Sequence, residues 1–127
     1  MEASEFLAEH AQDDYCDLTT TGRRTGNPHK IEIWFGVIGG TMYLISGNGP
    51  SADWFRNALI DPAVVVDVGG RTFTAQARAV VDVDERRHVG DVMGEKYTWD
   101  GDDSIGLTRH AWCYEVPVLA ISEWSDR

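Results

Sequence analysis

The chain has 127 residues, 43% hydrophobic and 25% charged, a balance that suits one folded domain and excludes a disordered or collagen-like polymer. Its formal charge of −10 repels phosphate backbones and anionic bilayers, so nucleic acid and membrane surfaces are poor partners. No apolar run approaches the roughly 18 residues of a membrane helix.

In chain order, Ser4 to Asp13 places Phe6, Leu7 and Ala11 at near-helical spacing, with Ser4 as its expected N-cap. The opening residues carry neither a basic n-region nor an apolar h-region, so a cytoplasmic location is expected. Tyr15 to Thr20 suits a strand, and Thr21 to Pro28 is turn chemistry, with two glycines, an Asn and a Pro. Ile31 to Ile38 predicts a strand, Gly39–Gly40 a hairpin turn and Thr41 to Ile45 the returning strand. No charged side chain occurs between Ile33 and Ala52, so this hairpin is expected at the centre of the sheet. Ser46 to Pro50 is a second turn. Ser51 is expected to cap a helix running to Ile60, with Trp54, Phe55, Ala58 and Leu59 as its apolar face.

Ala63 to Val68 is β-branched, Gly69–Gly70 turns it, and Arg71 to Val83 continues with alternating Phe73, Ala75, Ala77 and Ala79. Asp84 to Tyr97 reads as a helix, Trp99 to Gly106 as a loop, and Ala111 to Trp124 as a closing strand that Pro117 confines to an edge or a bulge. About six strands with short helices point to a mainly β, α+β antiparallel barrel over residues 1–127. An N-terminal helix lies within 1–14, and a late helix and lid loop lie within 84–110.

Most catalytic signatures are absent. The four histidines and the distant Cys16 and Cys113 have no metal-ligand spacing, so no metal site and no disulfide framework are expected. Gly47–Asn48–Gly49 lacks the third glycine of a dinucleotide fingerprint, no Walker loop occurs, and no serine sits in a nucleophile elbow. What stands out is charge placement. Leu18 to Ile31 contains no acid, yet holds Arg23, Arg24, His29 and Lys30 around a glycine turn. Converging backbone N–H groups and cations suit a small anionic ligand; the plain alternative is a basic surface turn.

Leu18-Thr-Thr-Thr-Gly-Arg-Arg-Thr-Gly-Asn-Pro-His-Lys30 resembles the signature of the deazaflavin-dependent nitroreductase family. Asp53-Trp-Phe-Arg-Asn57 resembles that family's short helix, and Asp61-Pro-Ala-Val-Val-Val-Asp-Val-Gly-Gly-Arg71 its strand and hairpin. The three pieces are collinear and span about half the chain, from Leu18 to roughly Val80. The resemblance implies a split β-barrel of the flavin-reductase type that binds coenzyme F-420 and passes hydride to a small organic acceptor: a quinone, enone or nitro compound. By position, Arg23 and Arg24 become the anchors of the cofactor's anionic tail, with Thr25 and Gly26 adding hydroxyl or backbone bonds. His29 stands where the family usually has arginine, and Lys30 is the cation expected to compensate.

The resemblance also implies a flat slot for the ring, expected from Ile31, Ile33 and Phe35, with Ser46, Gly47 and Asn48 at its polar edge and Trp54 and Asn57 closing it. Tyr97 and Lys96 are the candidate catalytic groups for the charge that develops on the acceptor, and Trp99 is a candidate roof. Core packing is the plain reading of Tyr97, Trp54 and Trp99, and solvated surface that of Lys96. An FMN-binding reductase and a non-catalytic carrier are the alternatives on the same barrel. A homodimer is possible, with Trp112, Tyr114 and Trp124 as either its face or core.

Overall fold

The computed structural model describes every residue from Met1 to Arg127. Helix α1 (Ala3–Glu9) precedes strands β1 (Cys16–Thr21), β2 (Pro28–Ile33), β3 (Gly36–Ile38) and β4 (Thr41–Ile45). A 3-10 turn, Gly49–Ser51, leads into α2 (Asp53–Ile60), followed by the hairpin β5 (Ala63–Val68) and β6 (Arg71–Ala79). Helix α3 (Val83–Lys96), the two-residue strands β7 (Gly101–Asp102) and β8 (Leu107–Thr108), α4 (Arg109–Tyr114) and β9 (Val118–Asp126) complete the chain.

Seven strands form one antiparallel sheet in the order β2-β1-β5-β6-β9-β4-β3. Its two outermost strands, β2 and β3, are joined by Trp34 and Phe35 alone. Two residues reach only about 7 Å, so the sheet must curl until its edges almost meet. The result is a split barrel. Gly39–Gly40 and Gly69–Gly70 take positive φ at all four positions, the geometry a tight two-residue hairpin demands.

The barrel interior is a cluster that includes Leu18, Phe35, Met42, Leu44, Phe73, Leu119 and Ile121. A second cluster, with Tyr43, Ile45, Val89, Met93, Trp112, Cys113 and Ala120, lies between the barrel wall and helices α3 and α4. Alternate residues of β4 enter one cluster or the other, so both faces of that strand are buried. This double burial explains the charge-free run without a central position. The expected sheet centre is corrected: β3 is an edge, β4 lies next to it, and β5 and β6 are interior.

Other expectations also shift. The predicted strand Ile31–Ile38 is two strands, because the chain leaves one sheet edge and joins the other at Trp34–Phe35. Ser4 lies inside α1, with Glu2 at its cap position. Ser51 ends the 3-10 turn while Ala52 precedes α2, and Leu59 is exposed while Asn57 takes its place on the buried face. The predicted strand from Ala111 begins as helix α4, capped by Thr108 Oγ1 accepting from the Ala111 N–H at 3.0 Å. Pro117 falls just before β9, so β9 is free to pair on both sides, with β6 and β4. A bulge in its β6 pairing centres on Glu123, at φ 58°. The helix expected at 84–97 is α3, capped by Asp82, whose carboxylate accepts from the Glu85 N–H at 2.8 Å.

Candidate functional site

The turn between β1 and β2 is closed by Gly22 N–H donating to Asn27 O and Gly26 N–H donating to Gly22 O, both at 2.8 Å. Thr25 Oγ1 accepts from the Asn27 N–H at 3.2 Å. The His29 ring packs over Gly22 so closely that a Cβ there would lie 2.7 Å from Nε2. Below the turn, the buried Asn57 of α2 accepts from Arg23 N–H at 3.1 Å and from Arg23 Nη1 at 2.8 Å. Its Nδ2 donates to the buried Thr20 hydroxyl at 3.3 Å. Arg23 Nη2 also lies 3.0 Å from Asp53 Oδ1. Asn57 thus rivets the turn to α2 through Arg23.

The four basic residues of the island therefore separate. Arg23 is consumed by Asn57 and Asp53, and Lys30 points to the outer face of the sheet, 3.8 Å from both Asp17 and Asp67. That outward position corrects the expectation that Lys30 supports the same site, since adjacent strand residues face opposite sides. Arg24 and His29 are exposed and have no hydrogen-bond or ion-pair partner in the chain. Together with Thr25 and the α2 residues Asp53 and Asn57 they border a polar recess of about 480 Å³.

A separate cleft of about 390 Å³ is walled mostly by apolar side chains, with Glu32 and Asp102 also among its lining residues. Ile31 and Ile33 of β2, Gly47 and Asn48 after β4, and Trp54 of α2 line one part of it. Asp53 and Trp54 are adjacent in α2, and one borders each space. Trp34, Trp99 and Trp112 form the other part, meeting edge to face with centroids 5.5–5.8 Å apart. Ser46 is buried and committed: its hydroxyl donates to Gly49 O at 2.6 Å and its N–H to Pro117 O at 2.8 Å. Phe35 is fully buried in the barrel core and Trp34 lines the cleft, because strand β2 ends at Ile33 and its alternation does not continue.

Tyr97 and Lys96 lie behind this wall. Tyr97 stacks on Trp34 at 4.3 Å, and its hydroxyl donates to Asp14 O at 2.6 Å and accepts from Phe35 N–H at 3.1 Å. Burial pushes that phenol up to about 12. Lys96 Nζ donates to Phe35 O at 2.8 Å and sits 3.8 Å from the centroid of the Phe35 ring, with burial pushing its pKa down to about 8. Neither side chain lines the cleft. In this geometry the pair, expected to be catalytic, contacts the Phe35 backbone instead of the cleft. Sequence reasoning missed Trp34 as a cleft residue; its one signal was an indole at an odd position beside the alternating Ile31 and Ile33.

A larger groove of about 890 Å³ lies elsewhere, between α2, α3, α4 and the start of β9. Its Arg86 is spent on the carbonyls of Trp112, Cys113 and Val116. None of the glycine-turn residues borders it, and its other basic side chains have carboxylate neighbours: Arg87 lies 3.9 Å from Asp84 and His110 lies 3.5 Å from Glu115. Three histidine, cysteine or carboxylate ligands are nowhere grouped to hold a metal, and no helix is long and apolar enough to cross a membrane.

Residues 7–101 match the model of a family described as F420H(2)-dependent quinone reductase. No curated protein matches the chain. Among solved structures, one described as an F-420-H2 dependent reductase is 20% identical, covers 87% of this chain and 95% of its own, and has a TM-score of 0.66. A putative 5-nitroimidazole antibiotic resistance protein from Bacteroides thetaiotaomicron is 19% identical over 95% of this chain and 80% of its own, with a TM-score of 0.64. A putative pyridoxamine 5'-phosphate oxidase from Listeria innocua is 17% identical over 96% of this chain and 94% of its own, with a TM-score of 0.67. At such identities the structures establish the shared fold.

Proposed function

The chain belongs to the family of quinone reductases dependent on reduced coenzyme F-420, and we propose how its residues hold coenzyme and acceptor. The protein is an F-420-dependent oxidoreductase, which sets aside FMN as the cofactor and a non-catalytic carrier role. In our reading the anionic tail of the coenzyme lies on the β1–β2 turn, against Arg24 and His29, with the Thr25 hydroxyl contributing a further bond; the Gly26 N–H, expected to contribute, is instead donated to Gly22 O at 2.8 Å and shapes the turn. Arg23 and Asn57 hold that turn in shape. The ring enters the apolar cleft over Ile31 and Ile33, its polar edge toward Gly47 and Asn48, with Trp54 closing the side. One observation carries this reading: Arg24 and His29, without protein partners, stand on the glycine turn that borders a polar recess, and neighbouring residues of α2 line that recess (Asp53) and the cleft (Trp54).

The fit is chemical. A planar ring needs apolar walls and an anionic tail needs cations; α2 contributes to both spaces, and each is individually within the size range of small-molecule sites. When bound, the coenzyme supplies hydride, two electrons at once. The share of the chain is placement and exclusion of water. Trp34, Trp99 and Trp112 wall off the acceptor end, and the rigid β2 edge fixes where the ring plane lies. The acceptor is a small organic molecule, and we propose a quinone over an enone or nitro compound.

The test is a titration of apo-protein with oxidised F-420 and, separately, FMN, followed by tryptophan fluorescence, together with oxidation of reduced F-420 by menadione. Preference for F-420 and menadione-dependent oxidation are expected. Tighter binding of FMN would overturn the assignment, and no oxidation with any quinone, enone or nitro acceptor would overturn the enzymatic reading. A homodimer is tested separately by sedimentation velocity. Trp112 is buried and Trp124 donates Nε1–H to Gly40 O at 2.8 Å, so both are committed within one chain.

A further inference from the structure

Arg109 opens helix α4, yet its side chain serves the end of α3 and the segment that follows. Its Nη1 donates to Tyr97 O at 2.7 Å and to Trp99 O at 3.0 Å, and its Nη2 donates to Gly94 O. The guanidinium makes no ion pair with any carboxylate. Its charge is met by carbonyls at a helix C-terminus, where a cation is favoured. Arg86 of α3 mirrors it by binding the carbonyls of Trp112, Cys113 and Val116 at the end of α4. The two clamps differ in what they hold. Trp112 already belongs to a helix, whereas residues 97–100 belong to no helix or strand.

Trp99 depends on this contact. Its indole N–H is buried without a partner, so its carbonyl bond to Arg109 is the polar attachment of the residue. Packing adds to it: the ring meets Trp34 at 5.6 Å and Trp112 at 5.5 Å, both nearly perpendicular. Just beyond, the chain turns at Gly101, φ 91°, where a Cβ would lie 2.5 Å from Leu107 O and 2.9 Å from Arg109 N. The segment is thus pinned to the start of α4 by a side chain and by close backbone packing. Trp99 itself is half-buried and lines the cleft, so moving the segment moves a wall.

We propose that Arg109 is a positioning residue for the reaction: by fixing the Gly94, Tyr97 and Trp99 carbonyls it sets the width of the acceptor end of the cleft, and so the size of quinone that fits. This rests on the quinone reading above. Arg109 does not line the cleft and acts through Trp99. A planar guanidinium fork can serve several carbonyls at once, whereas a lysine ammonium is a point donor on a flexible stem. Without the fork, packing alone holds the wall. A small acceptor is then held less well and a larger one is admitted.

Steady-state kinetics with menadione and the bulkier 9,10-phenanthrenequinone test this. In Arg109→Lys, KM for menadione is expected to rise roughly 10-fold with kcat changed far less, while kcat/KM for phenanthrenequinone holds or rises. The Kd of oxidised F-420 stays at its wild-type value, because the basic turn is untouched. Guanidinium ion at low, non-denaturing concentration should restore part of the preference for menadione in Arg109→Ala. Arg78→Lys weakens the bonds of Arg78 to Glu85, near the start of α3, and is the comparison for lost stability alone; its quinone ratio should match the wild type. If Arg109→Lys does not fold, Arg109→Gln, which keeps an amide donor, takes its place. An unchanged quinone ratio in a folded variant would overturn the proposal, as would equal losses for both quinones with weakened F-420 binding. A wild type that binds F-420 but reduces neither quinone would overturn the acceptor reading itself.

Discussion

Arg23 and Arg24 are neighbours in the chain with different tasks. Arg23 spends its guanidinium on Asn57 and Asp53, and Arg24 spends none on the protein. Arg24→Ala is expected to weaken F-420 binding by about 1.5–3 kcal/mol, the range for a hydrogen bond to a charged group, with stability unchanged; fluorescence titration and thermal melts check the two parts. Asn57→Ala should do the reverse first. It strands the Arg23 N–H and the Thr20 hydroxyl at a buried rivet, so urea denaturation should show a loss of about 1–3 kcal/mol. Lys96 offers a test by pH. Its Nζ is pushed down to about 8 by burial from an ordinary 10.5, so the folded state releases that proton first as pH rises. Stability from this group therefore increases between about pH 8 and 10. Cys16 and Tyr97, both pushed up to about 12 by burial, act in the opposite sense at higher pH. Comparing wild type with Lys96→Met isolates the lysine: the stability difference should move in favour of the wild type from pH 7 to pH 10, and a flat difference would show that burial does not perturb the amine.

At the scale of elements, legibility followed how much of each signal was local. Helix α3 could be read from its acidic first turn, which lies within the segment, whereas its cap Asp82 falls in what reads as the preceding strand, which ends at Ala79. Helix α4 could not, since six residues containing Trp112, Cys113 and Tyr114 suit a strand as well. Its identity depends on the Thr108 cap and on packing against α3. That packing is close. A Cβ on Gly90 would lie 2.4 Å from both Cys113 O and Tyr114 Cδ1, so Gly90→Ala must push α4 outward. A loss of about 1–3 kcal/mol in urea denaturation is expected. Ring binding should weaken too, because α4 carries Trp112 into the cleft. Stability within error of wild type would mean that the two helices separate at little cost. The double burial of β4 belongs here as well: absence of charge reported burial on two faces, which periodicity alone cannot distinguish from a central strand.

For the whole molecule, a net charge of −10 sets a repulsive background against an anionic coenzyme, and the unpaired Arg24 works locally against it. Raising ionic strength from about 0.01 M to 0.15 M shortens the screening length from about 30 Å to 8 Å. Binding by the wild type should weaken as the exposed contacts are screened. In Arg24→Ala the same change should have a flatter or opposite effect, since mostly repulsion is left to screen; equal slopes would remove Arg24 from the tail site. By itself the order of residues determined that a glycine turn rich in cations lies between two early strands, followed by a short helix and a glycine hairpin, because each of those signals is complete within a few neighbours. The division of the basic residues into brace, outer surface and free pair was decided only by tertiary structure, as was the contact of Tyr97 and Lys96 with the Phe35 backbone and the place of Trp34 and Trp99 in the cleft wall. The physical reason is closure. The barrel joins its two edge strands, β2 and β3, through Trp34 and Phe35, and the side of the sheet each nearby side chain faces depends on a register that no local window contains.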